Sequence, residues 1–281
     1  MPSISYKIFS TVLARTPLKF NIFVLYFRRF KELPNLKMPT TFNEKIQYRK
    51  IHDRNPLLTI MADKLASKIY VQEKTDSVYI PRVLWEGISL ESLYHEKLPS
   101  NFVIKANHGS QTNLFIKDNQ LPPLHELEKL RQKWFSHDQA RVLGEWAYAN
   151  IPRKIFIEEF MEFEGSVPDD YKFFVFHGKV KLVQFDVGRF TNHQRSILDP
   201  EWNEYDLEYS YPKVTPLPPK PFFLDEMILA AEKIAEDIDF ARVDLYWFDQ
   251  KVTFGEITLY PGAGFEKFPD IFYDELFGSF W

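Results

Sequence analysis

Among its 281 residues the chain has no cysteine at all. That excludes disulfide bridges, thiolate nucleophiles, cysteine-ligated zinc and iron–sulfur clusters together. No run of 18 apolar residues occurs, so the sequence contains no span long enough to cross a bilayer as a helix. The first residues, MPSISYKIFSTVLARTPLK, lack the uninterrupted apolar stretch and small-residue cleavage site of a secretory signal, which makes the cytoplasm the expected location. Neither G-x-G-x-x-G nor G-x-x-x-x-G-K-[ST] is present, so the two commonest glycine-rich phosphate cradles are missing. There is no internal repeat.

The residues that are there make an ordinary globular chain. Hydrophobic residues are 45% and charged residues 26%, enough to bury a core and too apolar for a disordered tail. Charge is distributed unevenly. Residues 1–50 carry ten Lys and Arg against Glu32 and Glu44, a net of +8; the rest carries twenty-five bases against thirty-seven acids, a net of −12. An acidic body argues against a nucleic-acid surface, and a basic, aromatic front end points to an anionic contact. Within it, Phe20 to Phe30 interleaves aromatics with Arg28 and Arg29, which suits peripheral docking on the inner face of an anionic membrane. Helices packed on the acidic body are the alternative.

Periodicity and punctuation predict the elements. A Thr41 or Asn43 cap opens a helix, and Pro56 begins a second that runs through Leu57, Ile60, Met61, Leu65 and Ile69. Short apolar runs at 79–85, 102–105, 113–116 and 154–161 read as strands, and 124–148 as a helix with Trp134 and Trp146 on its apolar face. Hairpins are expected at 171–176 with 180–187, and at 241–248 with 251–258; residues 188–221, rich in proline, read as an extended loop before a helix at 223–237. Strands joined by short polar links pair antiparallel, so the fold class is α+β and not a doubly wound parallel sheet.

The last hairpin carries the most chemistry. Residues two apart on a strand share a face, so Arg242 and Asp244 point together, as do Glu256 and Thr258. A turn at Asp249-Gln250 brings Asp244 roughly opposite Glu256. Two facing carboxylates need a cation between them, and Mg²⁺ suits hard oxygen ligands that also bridge nucleotide phosphates; a solvated face with a cross-strand Arg–Glu pair is the competing reading. Lys105 ends an apolar strand before Asn107-His108-Gly109-Ser110, where side chain and loop amides can hold phosphate oxygens. Arg189, Asn192, His193, Arg195 and Asp199 crowd the start of the long loop and suit a substrate carboxylate or phosphate. His108 and His177 are weaker candidates, His177 belonging to an H-G-K turn.

In order along the chain stand F-V-I-K-A-N-H-G-S (102–110), I-P-R-K-I-F-I-E-E-F (151–160), D-D-Y-K-F-F-V-F-H-G-K (169–179), R-V-D (242–244) and F-G-E-I-T (254–258). This series resembles the ATP-grasp superfamily, and its finer pattern resembles the TupA-like, teichuronopeptide-biosynthesis branch; the chain's end is similar to that of D-alanine–D-alanine ligases. The resemblance covers about 40–281 and leaves 1–38 as a separate extension. It implies two α+β subdomains with antiparallel sheets clasping a nucleotide, a lid at about 100–160 and a metal and substrate subdomain at about 161–281. It implies that Lys105, Lys64 and Lys172 serve the nucleotide phosphates, that Gly109 and Ser110 belong to the lid, and that Glu158, Glu159 and Phe160 line the adenine and ribose pocket. Asp244 and Glu256 would ligate Mg²⁺, with Thr258 standing where many relatives use Asn. Arg242, Arg189 and His193 would act on the transferred group and substrate. The implied cofactors are ATP and Mg²⁺, and the implied activity is ATP-dependent amide formation through an acyl-phosphate. The amine would be an amino acid or peptide and the acceptor a uronic-acid-type sugar in polysaccharide assembly. A glycosyltransferase, for which Asp237-Ile238-Asp239 is the nearest D-x-D, and a non-catalytic binding module are the competing classes.

Overall fold

The computed structural model describes residues 16–110, 112–136, 138–161, 168–189 and 191–281. Residues 1–15 of the basic front end therefore lie outside the described residues. Among those described, no helix is long and apolar enough to cross a membrane.

Helices α1 (Leu18–Phe30), α2 (Phe42–His52), α3 (Leu57–Ala62) and α4 (Ala66–Lys74) lead into two antiparallel sheets. The smaller sheet holds β1 (Val83–Gly87), β2 (Phe102–Ala106), β3 (Asn113–Ile116) and β4 (Ile155–Glu159) in the order β1-β4-β2-β3. Helices α5 (Leu124–Ser136) and α6 (Gln139–Leu143) lie between β3 and β4. The larger holds β5 (Asp170–Phe176), β6 (Lys179–Val187), β7 (Gln194–Leu198), β8 (Phe240–Phe248) and β9 (Lys251–Thr258) in the order β7-β6-β5-β8-β9. Helix α7 (Leu224–Ile234) precedes β8, and α8 (Ile271–Ser279) closes the chain. The α+β class and the antiparallel pairing stand as the sequence predicts.

Alternation along the strands divides core from site. In β2, Phe102, Ile104 and Ala106 turn towards Leu127 and Trp134 of α5 and form a small separate core, while Val103 and Lys105 turn to the other side. In central β5 every residue is buried. Phe174 and Phe176 meet Phe42 of α2 together with Phe240, and α7 packs on the same sheet. Each such buried aromatic contributes roughly 1.5–3 kcal/mol. Helix α2 starts on a capping box: Thr41 accepts from the Glu44 N–H while Glu44 accepts from the Thr41 N–H.

Four expectations are corrected. The helix over 56–69 breaks at Asp63–Leu65, where Asp63 turns extended at the C-terminus of α3 and its Oδ1 accepts from the Leu65 N–H at 2.9 Å ahead of α4. The helix over 124–148 ends at Ser136 and restarts as α6, which stops where Gly144 adopts φ +76°. The strand over 79–85 shifts to Val83–Gly87, Tyr79 instead bridging Thr253 of β9. The loop 188–221 contains β7, which pairs with β6 so that Arg195 faces Asp186.

Candidate functional site

The break between α3 and α4 places a lysine at the mouth of a cleft. Lys64 donates its N–H to the Asn107 carbonyl at 2.9 Å and its ammonium to the Gly109 carbonyl, tying the loop after β2 to the start of α4. One helical turn on, Lys68 meets Glu158 Oε2 at 2.7 Å, and Lys105 holds the other Glu158 oxygen from the neighbouring strand. Burial holds the Lys64 and Lys68 ammonium groups below the usual lysine range despite the nearby Glu256 and Glu158. Burial alone would push Glu158 up; Lys105 and Lys68 outweigh it and hold the carboxylate below its ordinary value. Three lysines against Glu158 and the half-exposed Glu256, 4.0 Å from Lys64, leave one positive charge in surplus.

Those lysines border a cavity of ≈ 420 Å³ between the two sheets. Its apolar walls come from Val103 and Phe156 on one side and Phe254 on the other, with Phe160 at the end of β4. A second cavity, also ≈ 420 Å³, lies beyond Lys64, Ser110 and Glu256, which border both.

The floor is the polar half of the large sheet. Register sets Asp244 opposite Glu256, Arg242 opposite Thr258, and Lys172 beside Asp244. The sequence-level placement of Asp244 against Glu256 is thus what the backbone shows. The hairpin turns on Asp249 and Gln250, both with positive φ, and carries a bulge after Asp244. Gly255 is required there, since a Cβ would come within 2.8 Å of the Asp244 carbonyl oxygen. Arg242 grips Asp244 with both arms at 2.7 and 2.8 Å and reaches Thr258 Oγ1 at 3.0 Å. Lys172 lies 2.9 Å from Asp170, 3.5 Å from Asp244 and 3.7 Å from Asp186, and Arg195 Nε reaches Asp186 at 2.6 Å. Burial raises Asp244 despite Arg242 and Lys172. Asp186 is held far below its usual range, the burial penalty being outweighed by Arg195 and then Lys172.

The expected residues separate into three groups. Lys64, Lys105, Ser110, Glu158, Glu159, Phe160, Arg189 and Glu256 line the first cavity; Gly109, Arg242 and Thr258 line the second. Glu159 is bound to Tyr79 and Arg82, and Arg189 meets Asp170 at 2.6 Å. Lys172 and Asp244 lie beneath the floor, 5% and 3% exposed. His193 borders neither cavity: it lies 3.2 Å from Asp186 and against the ring of Tyr211. His108 is buried, with Nε2 3.2 Å from the Trp134 carbonyl, and His177 sits in the β5–β6 turn at φ 49°. Lys68, Asp170, Gln139 and Glu145 were not singled out from sequence; for Lys68 the i, i+4 spacing from Lys64 was the available signal.

For a divalent metal the donor open to the cleft is Glu256, whose side chain is 44% exposed; Asp244, across the strand pair, is the second carboxylate, with both its oxygens on Arg242. Among the described residues no group of three or more His, Asp or Glu converges. Two hard carboxylates fit Mg²⁺, which ordinarily takes one or two from the protein and completes its shell with water and substrate phosphate.

Among curated proteins none matches the chain. Solved structures do: a D-Ala:D-Ser ligase from Enterococcus faecalis at 14% identity and TM-score 0.47, covering 79% of this chain and 60% of the ligase. An L-amino acid ligase from Bacillus licheniformis follows at 15% and 0.43, covering 83% of this chain and 44% of that one. A D-alanine–D-alanine ligase from Bacillus anthracis, complexed with ATP, gives 16% and 0.40 over 71% of this chain and 53% of the ligase. The chain spans 44–60% of the length of these proteins. The model of the TupA-like ATP-grasp family matches residues 44–281, and the chain belongs to that family.

Proposed function

We propose that this protein is an ATP-dependent ligase that joins a carboxylate to an amine. The observation that carries the reading is the cleft itself, in which Lys64, Lys68 and Lys105 face Glu256 across a space walled by Val103, Phe156 and Phe254. An apolar slot with surplus ammonium charge at one end suits a purine triphosphate.

A carboxylate does not acylate an amine at neutral pH, because oxide is too poor a leaving group. Transfer of the γ-phosphoryl group to the carboxylate gives an acyl-phosphate and ADP. The amine then forms the C–N bond as the C–O bond to phosphate breaks, releasing phosphate and a proton. Lys64, Lys68 and Lys105 offset charge on the phosphoryl oxygens, Arg242 is placed for the transferred group, and the Gly109–Ser110 loop shields the intermediate from water. Glu256 would hold Mg²⁺, joined by Asp244 once Arg242 releases it, and the metal would supply neutralisation of phosphate charge. The co-substrates are an amino acid or peptide and a uronic-acid-type sugar of polysaccharide assembly, the chemistry that the TupA-like branch suggests. The D-x-D needed for a glycosyltransferase is otherwise engaged: Asp237 pairs with Lys74, and Asp239 with Arg49 and the Trp281 indole.

Incubation with ATP, Mg²⁺, amino acids and uronic acids should release ADP only when both co-substrates are present, with an amide mass in the products. Thermal stabilisation by a UDP-sugar and none by an ATP analogue would overturn the reading.

A peripheral membrane contact belongs to the same proposal. Helix α1 buries Ile22 and Tyr26 on the body, yet its opposite face exposes Phe20 (56%) and Phe27 (52%) beside Lys19 and Lys31. Converting Phe20 and Phe27 to Ser should abolish co-sedimentation with vesicles containing 30% phosphatidylglycerol; unchanged sedimentation would remove the contact.

A further inference from the structure

The second cavity is lined by one buried acceptor without a partner among the described residues, Gln139 Oε1, and by the Glu145 carboxylate, which no cation among the described residues meets within ion-pair distance. Glu145 is 4% exposed and lines the cavity, yet its carboxylate takes no hydrogen bond or ion pair from any described residue. Gln139, 8% exposed, lines the same wall; its Nε2 donates to Ser110 Oγ at 3.0 Å, while its Oε1 is buried without a partner. The two residues bracket the last turn of α6, with the Glu145 N–H directed at the Gln139 carbonyl. The nearest balancing charge is Lys50, wholly buried, whose ammonium is already spent on Gln47 Oε1 at 3.2 Å and the Ala263 carbonyl at 2.6 Å. Burial raises the Glu145 carboxyl to about 7, with Lys50 opposing.

Buried acceptors left unmade cost free energy, and a ligand that donates to them recovers it. A carboxylate or phosphate would be repelled at this end of the cavity. Lys64 stands at the border with the nucleotide cleft, beside Glu256, and Arg242 also lines the second cavity. The cavity is therefore cationic where it meets the phosphates and acceptor-rich at α6.

We propose that the Glu145–Gln139 wall is the binding site for the protonated primary amine of the co-substrate, with Glu145 as its charge partner. This rests on the ligase reading. An ammonium must lose a proton before it attacks; one N–H bond breaks and the Glu145 carboxylate takes that proton, the freed lone pair forms the C–N bond as the C–O bond to phosphate breaks, and the second proton lost by the nitrogen leaves on the departing phosphate.

The test uses the full chain and a panel of free amino acids, titrated calorimetrically with and without the ATP analogue AMP-PNP and Mg²⁺. At least one amino acid should bind, its N-acetyl derivative should not, and Glu145→Gln should weaken it at least tenfold while AMP-PNP affinity stays within twofold. Gln139→Leu, which leaves the Glu145 carboxylate untouched, should weaken the same ligand severalfold and decides the matter if Glu145→Gln does not fold. Equal binding of the N-acetyl form, unchanged affinity in both variants, or no binding by any amino acid would overturn the inference. Loss of AMP-PNP binding in the wild type would instead strike the ligase reading, the nucleotide-free titration still deciding this one.

Discussion

The two sheets handle charge in opposite ways. On the large sheet Asp170, Asp186 and Asp244 are buried, and Lys172, Arg189, Arg195 and Arg242 answer them within the fold. On the small sheet and the adjoining α4, Lys68 and Lys105 share one buried acid, Glu158, and Lys64 lies 4.0 Å from the half-exposed Glu256. The first arrangement is complete without a ligand. The second is left positive and needs an anion. Where charge is closed the chain gains a rigid floor; where it is open the chain gains a binding site, at a cost in stability.

The comparison is broken most severely by removing one partner from the closed network. Arg195→Met removes the closest charge partner of Asp186, leaving it Lys172 at 3.7 Å with Gln184 and His193, and should cost about 3 kcal/mol in urea unfolding. Lys105→Met, which leaves Glu158 its Lys68 partner, should change stability far less; equal losses would erase the distinction between the sheets. Next in size is Glu256→Gln. A half-exposed side chain on the cleft should leave stability within about 0.5 kcal/mol, while ADP release falls by about a hundredfold or more; a normal rate would remove the metal and phosphate role. Lys105→Met should then weaken ATP-analogue binding by about tenfold or more, the loss expected of a charge-assisted hydrogen bond.

The smallest effect concerns pH. Asp186 has its carboxyl held below the unfolded value, so its stabilisation is complete above about pH 4 and is lost as pH falls towards the folded value. Asp186→Asn should be less stable than wild type at pH 7, and the gap should narrow below about pH 4. A gap that widens on acidification would contradict the closed-network description.

What was legible in the sequence is what local rules decide. Alternation around Asp249-Gln250, two residues that accept positive φ, fixes the hairpin and its register as far as Leu245–Phe254; counted straight on it would set Asp244 opposite Gly255, and the bulge after Asp244 brings Glu256 across instead. Lys105 at the end of an apolar strand followed by a glycine loop is equally local. Other features are tertiary. The α3–α4 break depends on Asn107, which donates to Asp63 Oδ1 at 3.0 Å and accepts from the Lys64 N–H, and no periodicity announces it. Strand β7 was hidden by the prolines that follow it, although Arg195 needed only a partner strand to find Asp186. Glu145 was lost because 124–148 reads as one amphipathic helix; Gly144, at φ +76°, was the stop signal passed over.

The measurement that bears most directly on the account is a crystal structure with AMP-PNP and Mg²⁺. The base should lie between Phe156 and Phe254, with the phosphates reaching Lys64 and Lys105 and the metal on Glu256. Nucleotide in the groove of ≈ 1150 Å³ along α4, beside Arg82 and Lys251, with the cleft between the sheets left free, would contradict it.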